Sequence, residues 1–394
     1  MINRRRLLIL AGAAGASSIA APFIRPSWAQ ANTLKIGLLL PSSGTYAPLG
    51  VAITRAMELY AKQQGGKLAG RDIVFVKVDD ASEPAKATEN TTKLISGEKV
   101  DVLVGTVHSG VAMAMAKMAR EDGLPTLIPN AGVDAMTRGG CAPNIFRTSF
   151  GNGQVGDATG QAMLKAGIKR AVTVTWKYAA GEEMVAGFKK AFIAGGGEIV
   201  KDITLPFPDV EFQSILAEVG SLKPDAVYSF FAGGGALKFI KDYAGAKLNE
   251  KIQLWGPGFL TDGIEKAAGP AGDGVKTTLH YVESLDNPEN KKFSQDFMAE
   301  YNVAPDVYAV QGWDAMQLLR IGLEAVGGDT KKRPEMFAAM RNASFDSPRG
   351  PFKLGTSHNP IQNFYLRELR GGENRLLGLA AERLAGDTTG CKMT

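Results

Sequence analysis

Short apolar runs of strand length alternate with amphipathic stretches of helix length along most of this sequence, and the series occurs twice. Such alternation folds as parallel strands joined by crossover helices. In the first series Leu34–Leu40, Ile73–Asp79, Val102–Val104 and Pro125–Ile128 are predicted as strands, with Ile145–Thr148 closing the half. The predicted helices between them are Ala52–Lys62, Glu83–Ile95 and Val111–Arg120. The second series runs from a helix at Val155–Ala166 and a strand at Ala171–Thr175 to a strand near Gln253–Trp255. Thereafter Thr277–Val282 is predicted as a linking strand, Pro288–Tyr301 and Val307–Val326 as helices, and the segments either side of Gly371-Gly372-Glu373-Asn374 as a hairpin. The expected fold class is therefore α/β, two doubly wound parallel-sheet lobes. In open parallel sheets ligands bind beyond the carboxyl ends of the strands, where helix N-termini point free N–H groups outward.

The first thirty-one residues run basic, apolar, small, the order of an export signal. Asn3-Arg4-Arg5-Arg6-Leu7-Leu8 resembles a twin-arginine signature, an ordinary secretory signal being the alternative, and Ala29-Gln30-Ala31 offers a cleavage site. The mature chain is expected to begin near Asn32, in the periplasm. The leader holds four arginines and no acids, so the net charge of +5 falls to +1 without it. Nucleic acid is thus not an implied partner. A mature chain of this length exceeds what one core usually serves, which fits two lobes. The two cysteines, Cys141 and Cys391, are too few for a cysteine-built metal site, and the sequence leaves open whether they pair.

Catalytic constellations are thin. Gly151-Asn152-Gly153-Gln154-Val155-Gly156 spells a dinucleotide fingerprint between a strand and a helix. The acidic residue that should close the next strand is missing, since Thr175-Trp176-Lys177-Tyr178 stand there. The motif is expected to be a crossover and a helix start, with an exported oxidoreductase as the disfavoured alternative. Gly233-Gly234-Gly235 lacks the lysine of a phosphate loop, so it is predicted to be a ligand-facing or merely tight turn. The three histidines, His108, His280 and His358, have no metal-ligand spacing, and no G-x-S-x-G elbow occurs. No catalytic residue, metal or cofactor is expected. The aromatic residues Tyr46, Trp176, Tyr178, Phe231, Phe259, Tyr281 and Tyr308 stand in loops after strands, and together are expected to line a cleft for a flat ligand.

The chain resembles the periplasmic leucine/isoleucine/valine-binding proteins, type I solute-binding components of ABC importers. The resemblance rests on Leu34–Gly44 with Tyr46 and Gly50, on Val104-Gly105 leading to His108-Ser109, and on Pro125–Ile128 before Asn130-Ala131. Phe146-Arg147-Thr148 and Lys223–Val227 complete it. It implies two lobes joined by three crossovers, expected at 32–149 with 281–350 and at 150–280 with 351–394. It also implies a carboxylate held by Ser109, beside His108, and by Asn130-Ala131, with Tyr178, Phe231 and Gly233 on the second lobe's wall. Arg147 is expected either to add charge to the cleft or to serve as a hinge ion pair. The implied partners are a small organic acid and an inner-membrane permease, with the protein acting as a monomer. One departure stands out: Phe231-Ala232-Gly233-Gly234-Gly235-Ala236 lacks the acid that family members offer an amino acid's ammonium, and Gly132 replaces a hydroxyl. An ammonium buried without an anionic partner costs several kcal/mol, so an aromatic or keto acid is expected over an α-amino acid.

Overall fold

The computed structural model describes residues 32–393, so the expected leader at 1–31 lies outside the described residues. Two mixed sheets divide the chain. The first holds β1 (Thr33–Leu40), β2 (Lys67–Leu68), β3 (Arg71–Asp79), β4 (Val102–Gly105), β5 (Thr126–Ile128) and β6 (Ile145–Arg147), in the order β2-β3-β1-β4-β5-β6. All pairs are parallel except β2 with β3. The second holds β7 (Arg170–Lys177), β8 (Glu198–Pro206), β9 (Ala226–Phe230), β10 (Gln253–Pro257) and β11 (Lys276–Leu279), with β14 (Gln362–Arg370) and β15 (Glu373–Leu384) added antiparallel at one edge. A small hairpin, β12 (Ser344–Ser347) and β13 (Gly350–Lys353), stands apart. Parallel strands form the body of each sheet and antiparallel strands its edges, β14 and β15 being the hairpin expected around Gly371-Gly372-Glu373-Asn374. The central strands β4 and β9 are buried at every residue, which is why they read as continuous apolar runs rather than alternating ones.

Helices α1 (Ala47–Gln63), α2 (Ala87–Thr92) and α3 (Ser109–Asp122) belong to the first lobe. Helices α4 (Asn152–Lys165), α5 (Ala179–Ala194), α6 (Gln213–Leu222), α7 (Gly233–Gly245) and α8 (Glu265–Ala268) belong to the second. Of the remainder, α9 (Pro288–Tyr301), α10 (Val307–Ala325) and α11 (Arg333–Arg341), the long α10 packs along α1. The helix expected at Glu83–Ile95 is shorter, opening on a 3-10 turn at Pro84–Lys86 and ending in a π turn at Lys93–Gly97. The hydroxyls of Thr91 and Thr92 bond back to the carbonyls of Ala87 and Thr88, a pattern that bends and loosens a helix.

The G-x-G-x-x-G segment has a packing explanation. A Cβ on Gly156 would fall 2.0 Å from the carbonyl oxygen of Met184, so α4 and α5 approach backbone to backbone there. Gly156 thus serves helix packing, while Gly151 and Gly153 lie against the Asp134 carboxylate.

Buried ion pairs stand near the crossings between the lobes. Arg349 reaches Asp314 at 2.6 Å and gives further hydrogen bonds to the carbonyls of Thr148 and Ser149, which follow β6. Arg367 holds Asp262 at 2.5 Å and also donates to the carbonyl of Tyr281. Both guanidiniums are buried with partners, the condition under which a buried charge is tolerable. Cys141 and Cys391 are joined by a disulfide, with Cα atoms 5.6 Å apart, and Asp387 of the tail pairs with Arg138 at 2.8 Å. The tail, leaving the second sheet after β15, is thereby fastened to the loop that precedes β6 of the first.

Candidate functional site

The carboxyl ends of β1, β4 and β5 face those of β7, β9 and β10 across a small cavity. Tyr46, Leu49, Val107, Asn130 and Gly132 line it from the first lobe, and Phe150 from the crossing between the lobes. Tyr178, Ala180, Met184, Phe230, Ala232 and Phe259 line it from the second, and Tyr308 comes from α10. No charged side chain stands on this wall, and six of its residues are aromatic. Tyr46, Tyr178 and Ala232 are the N-cap residues of α1, α5 and α7, and none of the three caps its helix with a side-chain hydrogen bond. Three positive helix ends therefore meet at the cavity, which favours a negative charge inside it.

The phenol oxygens of Tyr46 and Tyr178 lie 2.7 Å apart and close the cleft from opposite sides. Burial raises both phenols well above their usual range, so they remain neutral donors. Tyr308 is buried and its hydroxyl has no partner among the described residues. Such a group is costly unless something polar arrives to meet it. Asn130 is positioned by its amide, which donates to Gln311 at 2.7 Å. Phe207, after β8, packs against Tyr46, His108, Trp176 and Tyr178 with ring centroids 5.4, 4.9, 5.1 and 5.2 Å away.

Of the residues expected from sequence, Tyr46, Asn130, Tyr178 and Phe259 line the cavity, as does Tyr308. The others stand behind its wall, each for a nameable reason. His108 caps α3, its Nδ1 accepting the Gly110 N–H at 3.0 Å, and stacks on Tyr178 at 4.7 Å. Burial lowers its imidazole to about 4, so it is neutral. Ser109 is buried with its hydroxyl 3.5 Å from the Asn152 amide. The Ala131 N–H is committed to the carbonyl of Thr106 at 2.9 Å, leaving the wall to its neighbours. Trp176 gives its indole N–H to the carbonyl of Asp209 at 2.7 Å and backs Tyr46 and Phe231 edge-on. Phe231 faces Phe212 and Phe239 within its own lobe.

Gly233 lies against the backbone of Thr45 in the other lobe, where a Cβ would meet its carbonyl oxygen at 2.9 Å. Tyr281 is buried, its hydroxyl donating to Asn290 at 2.8 Å. The expectation that Arg147 adds charge to the cleft is corrected: its guanidinium donates to the carbonyls of Phe150 and Val133 at 2.6 and 2.9 Å and ties the loops behind the cavity. Burial lowers its affinity for the proton, partly offset by Asp134 and Glu183 nearby.

Gly132 admits no hydroxyl-bearing side chain. A Cβ there would fall 2.3 Å from the Asn152 side-chain oxygen and 2.4 Å from the ring of Phe150. Phe150 fills the space instead and packs against Phe259 of the second lobe at 4.7 Å.

Comparison with known proteins places this geometry. A solute-binding protein of an ABC transporter from R. palustris, solved in complex with benzoate, is 71% identical and superposes with a TM-score of 0.90, covering 91% of this chain and 99% of that one. A second, from Rhodopseudomonas palustris BisB5 in complex with 3,4-dihydroxybenzoic acid, is 32% identical with a TM-score of 0.85, covering 90% and 99%. Leu/Ile/Val-binding protein homolog 6 of Brucella melitensis biotype 1 is 30% identical, over 87% of this chain and 89% of its own length. The model of the periplasmic binding protein family matches residues 33–374, nearly all of both lobes, and the chain belongs to that family.

Proposed function

We propose that this protein captures a small aromatic carboxylate, with benzoate as the leading candidate, and delivers it to the inner-membrane permease of an ABC importer. The observation that carries this reading is the composition of the cavity wall: six aromatic residues, three uncapped helix N-termini and no charged side chain. A flat ring finds stacking and edge contacts there, and its carboxylate finds N–H dipoles and phenol hydroxyls. An α-amino acid would bury its ammonium with no acid on the wall to receive it. The benzoate and 3,4-dihydroxybenzoic acid bound in the two R. palustris structures support the same class.

Binding works by hinge closure. A ligand that touches both walls stabilises the closed form in proportion to its preference for closed over open. We take the moving units as 32–149 with 281–350 and 150–280 with 351–394, a division supported by α10 packing on α1 and by β14 and β15 completing the second sheet. The protein acts as a monomer in the periplasm after removal of residues 1–31, and binds rather than transforms its ligand. Titration of the mature chain with benzoate, followed by tryptophan fluorescence, tests the reading because Trp176 backs Tyr46 directly. A saturable change with benzoate and none with leucine supports it; the reverse pattern overturns it.

A further inference from the structure

Glu183 stands on α5 of the second lobe, outside the cavity wall but next to Met184, which lines it. Its Oε2 accepts the backbone N–H of Asp134 at 2.9 Å, and Asp134 sits in the loop after β5 of the first lobe, two residues past Gly132 of the wall. The same oxygen accepts the Asn152 amide at 2.8 Å, and that amide also lies 3.5 Å from Ser109 Oγ. We infer that Glu183 is a positioning residue that latches the closed state by accepting the Asp134 N–H across the cleft.

Other links from the second lobe to the Asp134 loop come from the tail, through Asp387–Arg138 and the Cys141–Cys391 disulfide, and from residues at the start of α4. Gly153 donates its N–H to the Asp134 carboxylate at 3.1 and 3.2 Å, and Asn152 donates its own to the carbonyl of Gly132 at 2.7 Å. Those residues belong to the β6-to-α4 crossing itself. Glu183 lies on a different helix, α5, so its bond to the Asp134 N–H ties the body of the second lobe directly to that loop. Its contact with Asn152 lies within the second lobe, so the bond to the Asp134 N–H is the one that crosses between the lobes. Hydrogen bonds to a carboxylate are among the stronger ones in proteins, and this one is partly shielded from water. The groups around it are Asp134 and Arg147 from the first lobe and Asn152 from the second.

The inference rests on the hinge-closing reading, and its test separates the two. In the mature protein, Glu183→Ala removes the acceptor, whereas Glu183→Gln keeps one oxygen able to accept both N–H groups. With benzoate as the probe in stopped-flow fluorescence, E183A is expected to raise the dissociation rate about tenfold while leaving association within about twofold. E183Q is expected to stay within about twofold of the parent on both rates. Unchanged dissociation in E183A, or an equal rise in E183Q, overturns the latch. Should the parent chain ignore benzoate, the aromatic-acid reading fails by itself. The latch is then read by small-angle scattering of the ligand-free chains: a more open E183A supports it, and identical curves overturn it.

Discussion

The Tyr46 and Tyr178 hydroxyls meet at 2.7 Å across the cleft, one from the N-cap of each lobe's leading helix at the site. Each ring is also wedged against Phe207. Removing either hydroxyl breaks the bond yet leaves the ring packing intact. Tyr178→Phe is expected to weaken benzoate binding by about 0.5–1.5 kcal/mol, the worth of an ordinary hydrogen bond. Calorimetry of the mature chain measures it, and unchanged affinity would mean that the bond does not form in the bound state.

At Gly132 any larger residue must displace the Phe150 ring or the Asn152 side chain. Overpacking of this kind costs roughly 1–3 kcal/mol. Gly132→Ser is therefore expected to reduce both stability and benzoate affinity, whereas a gain in leucine binding would show that the wall can rebuild around a hydroxyl. Denaturant titration and calorimetry on the same preparation check the two effects.

The disulfide between Cys141 and Cys391 closes a loop of 250 residues. Loss of a cross-link over so long a loop removes a large constraint on the unfolded chain, with native disulfides worth roughly 2–5 kcal/mol. The double variant Cys141→Ser, Cys391→Ser is expected to unfold at lower denaturant by an amount in that range. An equal shift on adding reductant to the parent chain assigns the effect to the cross-link itself.

Asp80 is buried, and burial raises its carboxyl to about 6 from an ordinary 3.8, against hydrogen bonds from Thr106 and Ser82 that favour the charged form. Because the folded state holds this proton more tightly than the unfolded chain, stability falls as pH rises from about 4 through about 6. At neutral pH the loss amounts to about 3 kcal/mol. Asp80→Asn should flatten the parent's decline over that window when melting is followed against pH, and parallel curves for the two chains would contradict the assignment.

The strands and their order along the chain were legible because buried parallel strands are locally apolar throughout, as in β1, β4 and β9. The hairpin of β12 and β13 was not. Its short strands carry Asp346, Pro351 and Lys353, and its setting depends on Arg349 finding Asp314, a partner thirty-five residues earlier. Helix α11 lay just ahead of it, opening on Pro334 after a polar run, and was also missed.

The cavity was legible where a side chain follows a strand directly and faces the cleft, as with Tyr46, Asn130, Tyr178 and Phe259. It was misread by one position at Phe231, because neighbours at a strand end point to opposite sides and Phe230 takes the cleft side. The same slip separates Ala131 from its lining neighbours, and Gly233 from Ala232. Phe150, Met184 and Phe207 carried no local sign of the site, since their place depends on contact with residues far along the chain.

The central claim is that a closed cavity with an aromatic, uncharged wall selects a carboxylate without an ammonium. Isothermal calorimetry of the mature chain, with benzoate and leucine titrated in separate runs, tests it most directly. A saturable one-to-one heat with benzoate and none with leucine is expected; tight leucine binding with no response to benzoate would contradict that selectivity.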